Sequence, residues 1–147
     1  MSRGQKAEEF FKSGYNCAQA VVMAFADVIG GDTQAYLRLS SSFGGGIGRL
    51  REVCGAFSGS CMVAGLLRGY DNENGVDKGS HYALIQRLAL KNKLQNGSII
   101  CKELLGATVN LSSADPSVRT AEYVKKRPCA ELCRIAADIL AEELGLD

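Results

Sequence analysis

Apolar residues recur every three or four positions along most of the 147-residue chain, and no segment alternates convincingly with a period of two. The first spacing places apolar side chains on one face of an α-helix, whereas a half-buried strand requires the second. The sequence therefore predicts an all-α protein. Its length is that of one ordinary domain, so we expect residues 1–147 to form a single compact domain of about six to seven helices.

Residues that favour helix caps and helix stops divide this pattern into separate helices. Asn16, Asp32 and Ser98 are of types preferred at N-caps, and Gly14 and Gly145 are suited to end a helix. We expect helices at about 6–13, 17–29, 33–43, 52–69, 78–95, 99–105 and 128–144, with an irregular segment at 107–116.

The apolar spacing also predicts which faces of two helices are buried. In the third helix the predicted face consists of Ala35, Tyr36, Leu39 and Phe43. In the fifth helix the predicted core residues are Tyr82, Ile85, Leu88, Ala89 and Leu94.

Charge and hydropathy exclude two classes of partner. With 17 Lys and Arg against 16 Asp and Glu, the formal charge is +1, which lacks the basic field that nonspecific nucleic-acid binding requires. The longest apolar stretches are too short to span a bilayer, and the N-terminal residues contain no secretory signal. We therefore expect a cytoplasmic protein with no nucleic-acid partner and no membrane span.

Six cysteines carry most of the functional information. A reducing cytosol disfavours permanent disulfides, so metal ligands, redox thiols or core residues remain. Four of the six lie in the first turn of a predicted helix: Cys17, Cys54, Cys101 and Cys129. Unpaired N–H groups and the helix dipole meet in a first turn, and both lower the pKa of a thiol. These four cysteines are the candidate catalytic residues.

Basic residues stand next to several of these cysteines and favour the thiolate further. Arg49 and Arg51 precede Cys54, and a basic run at 125–127 leads into the last helix. For a dithiol reaction we therefore expect Cys54 to be the attacking thiolate and Cys17 its partner.

The other two cysteines, Cys61 and Cys133, lie deeper in their helices. Free cysteine often packs as a small apolar residue, so both are expected in the core. Their spacing leaves an alternative open, because Cys133 lies four residues after Cys129 and shares its helix face, as Cys61 approximately does with Cys54.

A metal site would need thiols from separate helices, because the chain contains no Cys-x-x-Cys motif. In that version the metal ligands are Cys17, Cys54, Cys101 and Cys129, and they hold zinc or an iron–sulfur cluster. In the alternative, no cofactor is bound and the thiols form a redox disulfide. His81 has no neighbour at ligand spacing, and we expect no role for it.

Small residues are concentrated before and within the fourth helix. The glycine run 44–48 lacks the residue order of a phosphate-binding loop, so it is expected to be a flexible connector that aims Cys54. Gly55, Ser58 and Gly59 lie three or four positions apart on one helix face. Such a face allows another helix backbone to approach closely.

Several segments together resemble one known family. They are Gly14-Tyr15-Asn16-Cys17-Ala18-Gln19, Phe43-Gly44-Gly45-Gly46, Cys54-Gly55-Ala56-x-x-Gly59, the Cys-x-Glu-Leu-Leu-Gly segment at 101–106, and the late Cys129. The set resembles the C_GCAxxG_C_C family of small four-cysteine redox proteins. The resemblance runs from residue 14 to about residue 133, which is nearly the whole chain.

The resemblance implies roles for particular residues. The family's four cysteines correspond to Cys17, Cys54, Cys101 and Cys129, and Cys61 and Cys133 are additional to its pattern. The motif implies that Gly55, Ala56 and Gly59 are candidate cofactor-binding residues. A related arrangement occurs in split-Soret-type cytochromes, but no Cys-x-x-Cys-His motif is present, so covalent haem is not expected.

Two functions from different classes follow. The first is a cytoplasmic redox protein, either a thiol oxidoreductase or an electron-transfer protein, whose clustered cysteines perform reversible disulfide chemistry or hold a metal or iron–sulfur cluster. The second is a noncatalytic helical interaction protein whose cysteines only pack. We also expect a homodimer and a redox partner that the sequence does not identify.

Overall fold

The computed structural model describes residues 1–106 and 128–147. In these two ranges the chain forms eight helices and no strand: α1 (Arg3–Ser13), α2 (Cys17–Met23), α3 (Ala26–Ile29), α4 (Thr33–Ser41), α5 (Gly55–Arg68), α6 (Lys78–Asn96), α7 (Cys101–Leu105) and α8 (Cys129–Leu144). The predicted all-α class is confirmed. The predicted irregular segment 107–116 and the basic run 125–127 lie outside the described residues.

Helix α2 is the centre of the fold. It packs against α1, α4, α5 and α8, and Ala18, Ala20 and Val21 on it are fully buried. The N-cap Asn16 begins this helix, as predicted, and forms a capping box in which Gln19 N–H donates to Asn16 Oδ1 at 2.9 Å. The N-terminus of α2 is therefore held firmly where other helices meet it.

Glycines allow α5 to approach α2 at backbone distance. A Cβ atom on Gly55 would lie 2.8 Å from the Phe43 carbonyl oxygen, and one on Gly59 would lie 2.7 Å from the Ala18 carbonyl oxygen. A real Cβ would clash at both distances. The small-residue face predicted for this helix is therefore the surface that packs on α2.

The predicted second helix, 17–29, is in fact two helices separated at Ala24 and Phe25. Arg3 accounts for the break, because its Nη1 donates to the Ala24 carbonyl at 2.9 Å and its guanidinium lies over the Phe25 ring. The next turn restarts with Val28 N–H donating to the Phe25 carbonyl. A residue from another helix thus interrupts a pattern that is locally continuous.

The predicted core faces of the third and fifth helices are wrong in part. Leu39 is 60% exposed, while the neighbouring Ser40 is fully buried. On α6, Tyr82 and Leu94 are 52% and 78% exposed. That helix packs against α5 and α8, and its buried residues are Leu84, Leu88 and Asn92. The Asn92 side-chain amide donates a hydrogen bond to the Leu88 carbonyl at 2.8 Å.

No helix in the described ranges is long and apolar enough to cross a membrane, as expected from the short apolar stretches of the sequence.

Candidate functional site

The four cysteines singled out in the sequence all stand where a helix begins. Cys17, Cys101 and Cys129 are the first residues of α2, α7 and α8, and Cys54 is the N-cap of α5. Their predicted local placement is confirmed. The functional question is whether the fold brings these helix starts together.

A short antiparallel bridge between Val53 and Ile100 aligns the starts of α5 and α7. Cys54 N–H donates to the Ile99 carbonyl at 2.7 Å, and Cys101 N–H donates to the Glu52 carbonyl at 2.6 Å. In this pairing Cys54 and Cys101 point to the same side of the bridge, because alternate residues of paired strands share a face. The Cys101 thiol is near enough to raise the pKa of Cys54.

Glycines bring two further segments against this bridge. A Cβ on Gly55 would lie 3.1 Å from Cys17 Cβ, so the start of α2 is next to the start of α5. Gly46, with φ of +70°, presses against α7: a Cβ there would lie 2.7 Å from Cys101 Cβ. The glycine run is thus a connector that follows a helix, as predicted, and its close approach to Cys101 needs glycine.

Helix α8 supplies two more thiols. The thiols of Cys129 and Cys133 lie near enough to the Cys17 thiol to shift its pKa. Cys133 is fully buried, and its Sγ donates to the Cys17 carbonyl at 3.7 Å. Cys129 is also close enough to raise the pKa of Cys54. We call the five residues Cys17, Cys54, Cys101, Cys129 and Cys133 the thiol cluster.

Cys61 lies outside the thiol cluster. Its pKa is raised to about 11, and burial is the only cause, with no contribution from another thiol. The sequence-based prediction that Cys61 packs is consistent with this environment. Cys133, expected to be an ordinary core residue, is buried as predicted but also belongs to the cluster. The four-residue spacing from Cys129 was the signal for it.

Burial outweighs the helix terminus at Cys54. Desolvation raises its pKa, while the N–H groups of Phe57 and Ala56 lower it by less, and the net value is about 11. The prediction that a first-turn position lowers the pKa of Cys54 is therefore wrong. A thiolate hidden from water loses more hydration than two N–H groups restore.

The pKa of Cys17 is also raised well above its ordinary value. The neighbouring Cys129 thiol lowers it, but the neighbouring Cys133 thiol, burial and the charge of a nearby Cys54 thiolate raise it. Each further thiol nearby adds the repulsion of a second negative charge when both ionise. The predicted lowering is therefore wrong for Cys17 as well.

A buried cation contacts a different cysteine from the one expected. Arg51 is buried, and its Nη1 lies 3.7 Å from Cys101 Sγ. The sequence predicts Arg51 beside Cys54, because Arg51 precedes that cysteine by three residues. The bridge explains the difference, because Lys102 N–H donates to the Arg51 carbonyl at 3.1 Å and holds the start of α7 against Arg51.

The four-ligand metal site predicted from the sequence is not formed by the side chains as they lie. Among residues 1–106 and 128–147, no three His, Cys, Asp or Glu side chains are placed to hold one metal ion. The arrangement of the described residues does not fit a preformed thiolate cage. Gly55 and Gly59 are explained by helix packing, and their predicted cofactor role, with that of Ala56, stays a prediction.

Comparison with known proteins agrees with this constellation. A family model described as "Putative redox-active protein (C_GCAxxG_C_C)" matches residues 15–143. The chain belongs to this family. The match includes all five residues of the thiol cluster and extends almost to the end of α8. No curated protein and no solved structure matches the chain.

Proposed function

We propose that this member of the C_GCAxxG_C_C family performs reversible thiol–disulfide exchange, with Cys17 and Cys129 as the redox pair. One observation carries the proposal: the Cys129 thiol lies near enough to Cys17 to be the largest single influence on its pKa, although the two come from helices at opposite ends of the chain. Cysteines whose thiols are neighbours need less backbone movement to form a disulfide than cysteines that lie apart. The family description as redox-active supports the same chemistry.

The reaction balances with a small-molecule disulfide as oxidant. The Cys17 thiolate attacks one sulfur of that disulfide, a mixed disulfide forms, and one small thiol leaves. The Cys129 thiolate then attacks the Cys17 sulfur, which forms the Cys17–Cys129 bond and releases the second small thiol. Two electrons pass from the protein to the small disulfide, and the two protons of the cysteines end on the two small thiols.

Cys17 is the least buried residue of the thiol cluster, although its sulfur is shielded from water, and we therefore assign it as the thiol that meets the partner. Cys17 is partly exposed, whereas Cys54, Cys101 and Cys129 are buried. The raised pKa of Cys17 leaves little thiolate at neutral pH, so exchange should be faster in alkaline buffer. The high pKa of Cys54 disfavours it as the attacking thiolate.

Disulfide mapping tests the proposal. Reduced protein is equilibrated with glutathione and glutathione disulfide, quenched with acid, alkylated, digested and analysed by mass spectrometry. We expect a Cys17–Cys129 linked peptide that disappears in excess reduced glutathione. Cys17→Ser and Cys129→Ser should each abolish it, and Cys61→Ser is the matched control that should oxidise like the wild type.

Two results would overturn the assignment. A Cys17–Cys54 link in place of Cys17–Cys129 would restore the pair expected from the sequence. Formation of glutathione adducts alone, with no internal disulfide, would favour the noncatalytic interaction protein whose cysteines only pack. The cytoplasmic location, the homodimer, the lack of a nucleic-acid partner and the metal-binding version remain predictions from the sequence.

A further inference from the structure

Residues 45–49 form a turn of unusual handedness beside the thiol cluster, and we call them the left-handed turn. All five have positive φ values, between +54° and +70°, and two of them, Ile47 and Arg49, are not glycine. Residues with a Cβ avoid this region, and a β-branched residue such as isoleucine avoids it most strongly. Ile47 therefore takes its place in the turn at a conformational cost.

Main-chain hydrogen bonds hold the left-handed turn in one shape. Gly48 N–H donates to the Ser42 carbonyl at 2.8 Å, so the turn folds back on the residue that follows α4. Glu52 N–H donates to the Gly46 carbonyl at 2.9 Å and fixes the other side of the turn. A partner would thus meet a surface that is already formed, which lowers the entropic cost of binding.

Apolar side chains in and beside the left-handed turn are exposed to solvent. Leu39 in the last turn of α4 is 60% exposed, Ile47 is 38% exposed, and Leu50 directly after the turn is 68% exposed. None of the three is among the described residues that form the hydrophobic core or pack against it. Core packing therefore does not offset the strain at Ile47. We call Leu39, Ile47 and Leu50 the docking face.

The docking face adjoins the start of α2, where Cys17 lies. Asn16, which caps α2, donates from Nδ2 to the Ser41 carbonyl at 3.0 Å. A Cβ on Gly44 would lie 2.7 Å from Asn16 Cβ, and the left-handed turn begins at the next residue. A partner seated on the docking face is therefore next to the thiol that we assign to meet it.

Charge selects the kind of partner. Residues 33–51 contain three arginines and no Asp or Glu. Of these arginines, Arg38 is exposed and Arg49 is half-buried. A second copy of the chain seated here would bring like charges together, whereas an acidic polypeptide would bring opposite charges together. The exposed apolar side chains add contacts that a polypeptide can fill with a side chain of its own.

We propose that the docking face binds a polypeptide disulfide substrate through an apolar side chain and an acidic side chain next to its cysteines. The inference rests on the proposed exchange at Cys17 and names the substrate class of that site.

The chemical step is the same exchange with the peptide disulfide as oxidant. The Cys17 thiolate attacks one peptide sulfur, and the other peptide sulfur leaves as a thiolate that takes up a proton. The Cys129 thiolate then attacks the Cys17 sulfur, forms the Cys17–Cys129 bond and releases the first peptide sulfur. The peptide gains two electrons and the two protons that the cysteines of the protein lose.

Binding of a peptide that cannot undergo exchange tests the docking face by fluorescence anisotropy. The probe is a short fluorescein-labelled peptide with leucine and glutamate beside two serines that stand in for its cysteines. Leu39→Ser, Leu50→Ser and Ile47→Gly should each weaken binding to the reduced protein roughly fivefold. Ile47→Gly removes the side chain and suits the left-handed backbone. Leu94→Ser is the matched control and should bind like the wild type, because Leu94 is 78% exposed on α6, which packs against α5 and α8.

An exchange assay connects binding with reaction. With cysteines restored and joined as a disulfide, the peptide should oxidise the protein faster than hydroxyethyl disulfide does. The ratio of the two rates should fall roughly fivefold in Leu50→Ser and stay at the wild-type value in Leu94→Ser. An unchanged ratio in Leu50→Ser would overturn the assignment of the face to a substrate.

Three results in the binding assay would also overturn the proposal. They are equal affinity of Leu50→Ser and Leu94→Ser, equal binding of a peptide with lysine in place of glutamate, and a wild-type dimer in light scattering that Leu50→Ser abolishes. The last would assign the face to a second copy of the chain. None of these measurements forms a disulfide, whereas failure of the exchange itself appears as a lack of oxidation by hydroxyethyl disulfide. The two failures are therefore distinguishable.

Discussion

The two ends of α5 contain the same residue types in different environments. At the N-terminal end, Gly55 and Gly59 touch the backbone of neighbouring segments, and Cys54 faces other thiols. From the middle of the helix onward, Cys61 is perturbed by burial alone, and a Cβ on Gly65 would meet nothing within 4 Å. One helix thus has a half that assembles the thiol cluster and a half that only packs.

The contrast shows that close backbone approach, more than the presence of cysteine, distinguishes the site. Glycine in a helix costs about 1 kcal/mol relative to alanine, and only the N-terminal pair gives a contact in return. That contact places the start of α2, with Cys17, beside the start of α5. The following predictions test this difference.

The largest expected effect comes from filling the tight half of α5. Gly59→Ala should destabilise the protein by about 1–3 kcal/mol, because its Cβ would lie 2.7 Å from the Ala18 carbonyl oxygen. Gly65→Ala is the matched control in the open half and should stabilise by up to about 1 kcal/mol. Urea unfolding under reducing conditions measures both free energies.

Similar stability changes in the two variants would remove the contrast between the halves. The Gly59→Ala protein should also form less of the Cys17–Cys129 disulfide, since α2 must shift to accept the new methyl group. Gly65→Ala should form as much as the wild type.

A smaller effect is expected from pH at the two thiols of α5. The pKa of Cys61 is about 11 in the folded protein against an ordinary value of 9.0, so the unfolded chain loses this proton first. Stability is therefore intact below pH 9 and falls as pH rises toward 11. These two pKa values imply that Cys61 lowers the free energy of unfolding by about 1.4 kcal/mol at about pH 10, and Cys61→Ala should remove that loss.

Cys54→Ala should remove more of the alkaline loss than Cys61→Ala. Cys54 has the same raised pKa of about 11, and its thiol also raises the pKa of Cys17. Its removal therefore eliminates the alkaline loss of stability caused by Cys54 and reduces the loss caused by Cys17. Equal behaviour of the two variants in urea unfolding at alkaline pH would show that Cys54 is as isolated as Cys61.

The smallest effect concerns two capping boxes of the same kind. Asn16→Ala at the start of α2 and Ser2→Ala at the start of α1 should each cost about 1 kcal/mol. Only Asn16 adjoins the thiol cluster, so only its loss should lower the yield of the Cys17–Cys129 disulfide. Equal yields in both variants would mean that the α2 cap does not position Cys17.

Local chemistry explains why the helix class and the cysteine positions could be predicted from sequence. Asn16 and Asp32 cap their helices and Gly145 ends α8, because such signals act within one turn. Cys17, which follows Asn16, was located by the same reasoning, whereas the predicted cap Ser98 is not the N-cap of α7, which is Ile100. The family resemblance pointed to the same four residues, and the family match confirms the membership.

The remaining features depend on contacts between distant segments, which periodicity does not encode. Burial decides the pKa of Cys54, and the bridge between Val53 and Ile100 directs Arg51 to Cys101. The break before α3 likewise comes from Arg3 in another helix. On α6, apolar residues occur on every side, so the exposed Leu94 was not distinguishable from the buried Leu88.

Bridging of the reduced thiols by a trivalent arsenical tests most directly whether the thiol cluster is assembled. Phenylarsine oxide joins two thiols that lie close together, with release of water, and needs no redox partner. We predict one arsenical per chain, attached to Cys17 and Cys129, with uptake lost in Cys17→Ser and unchanged in Cys61→Ser. Attachment that includes Cys61, or no bridging in folded wild-type protein, would contradict the account.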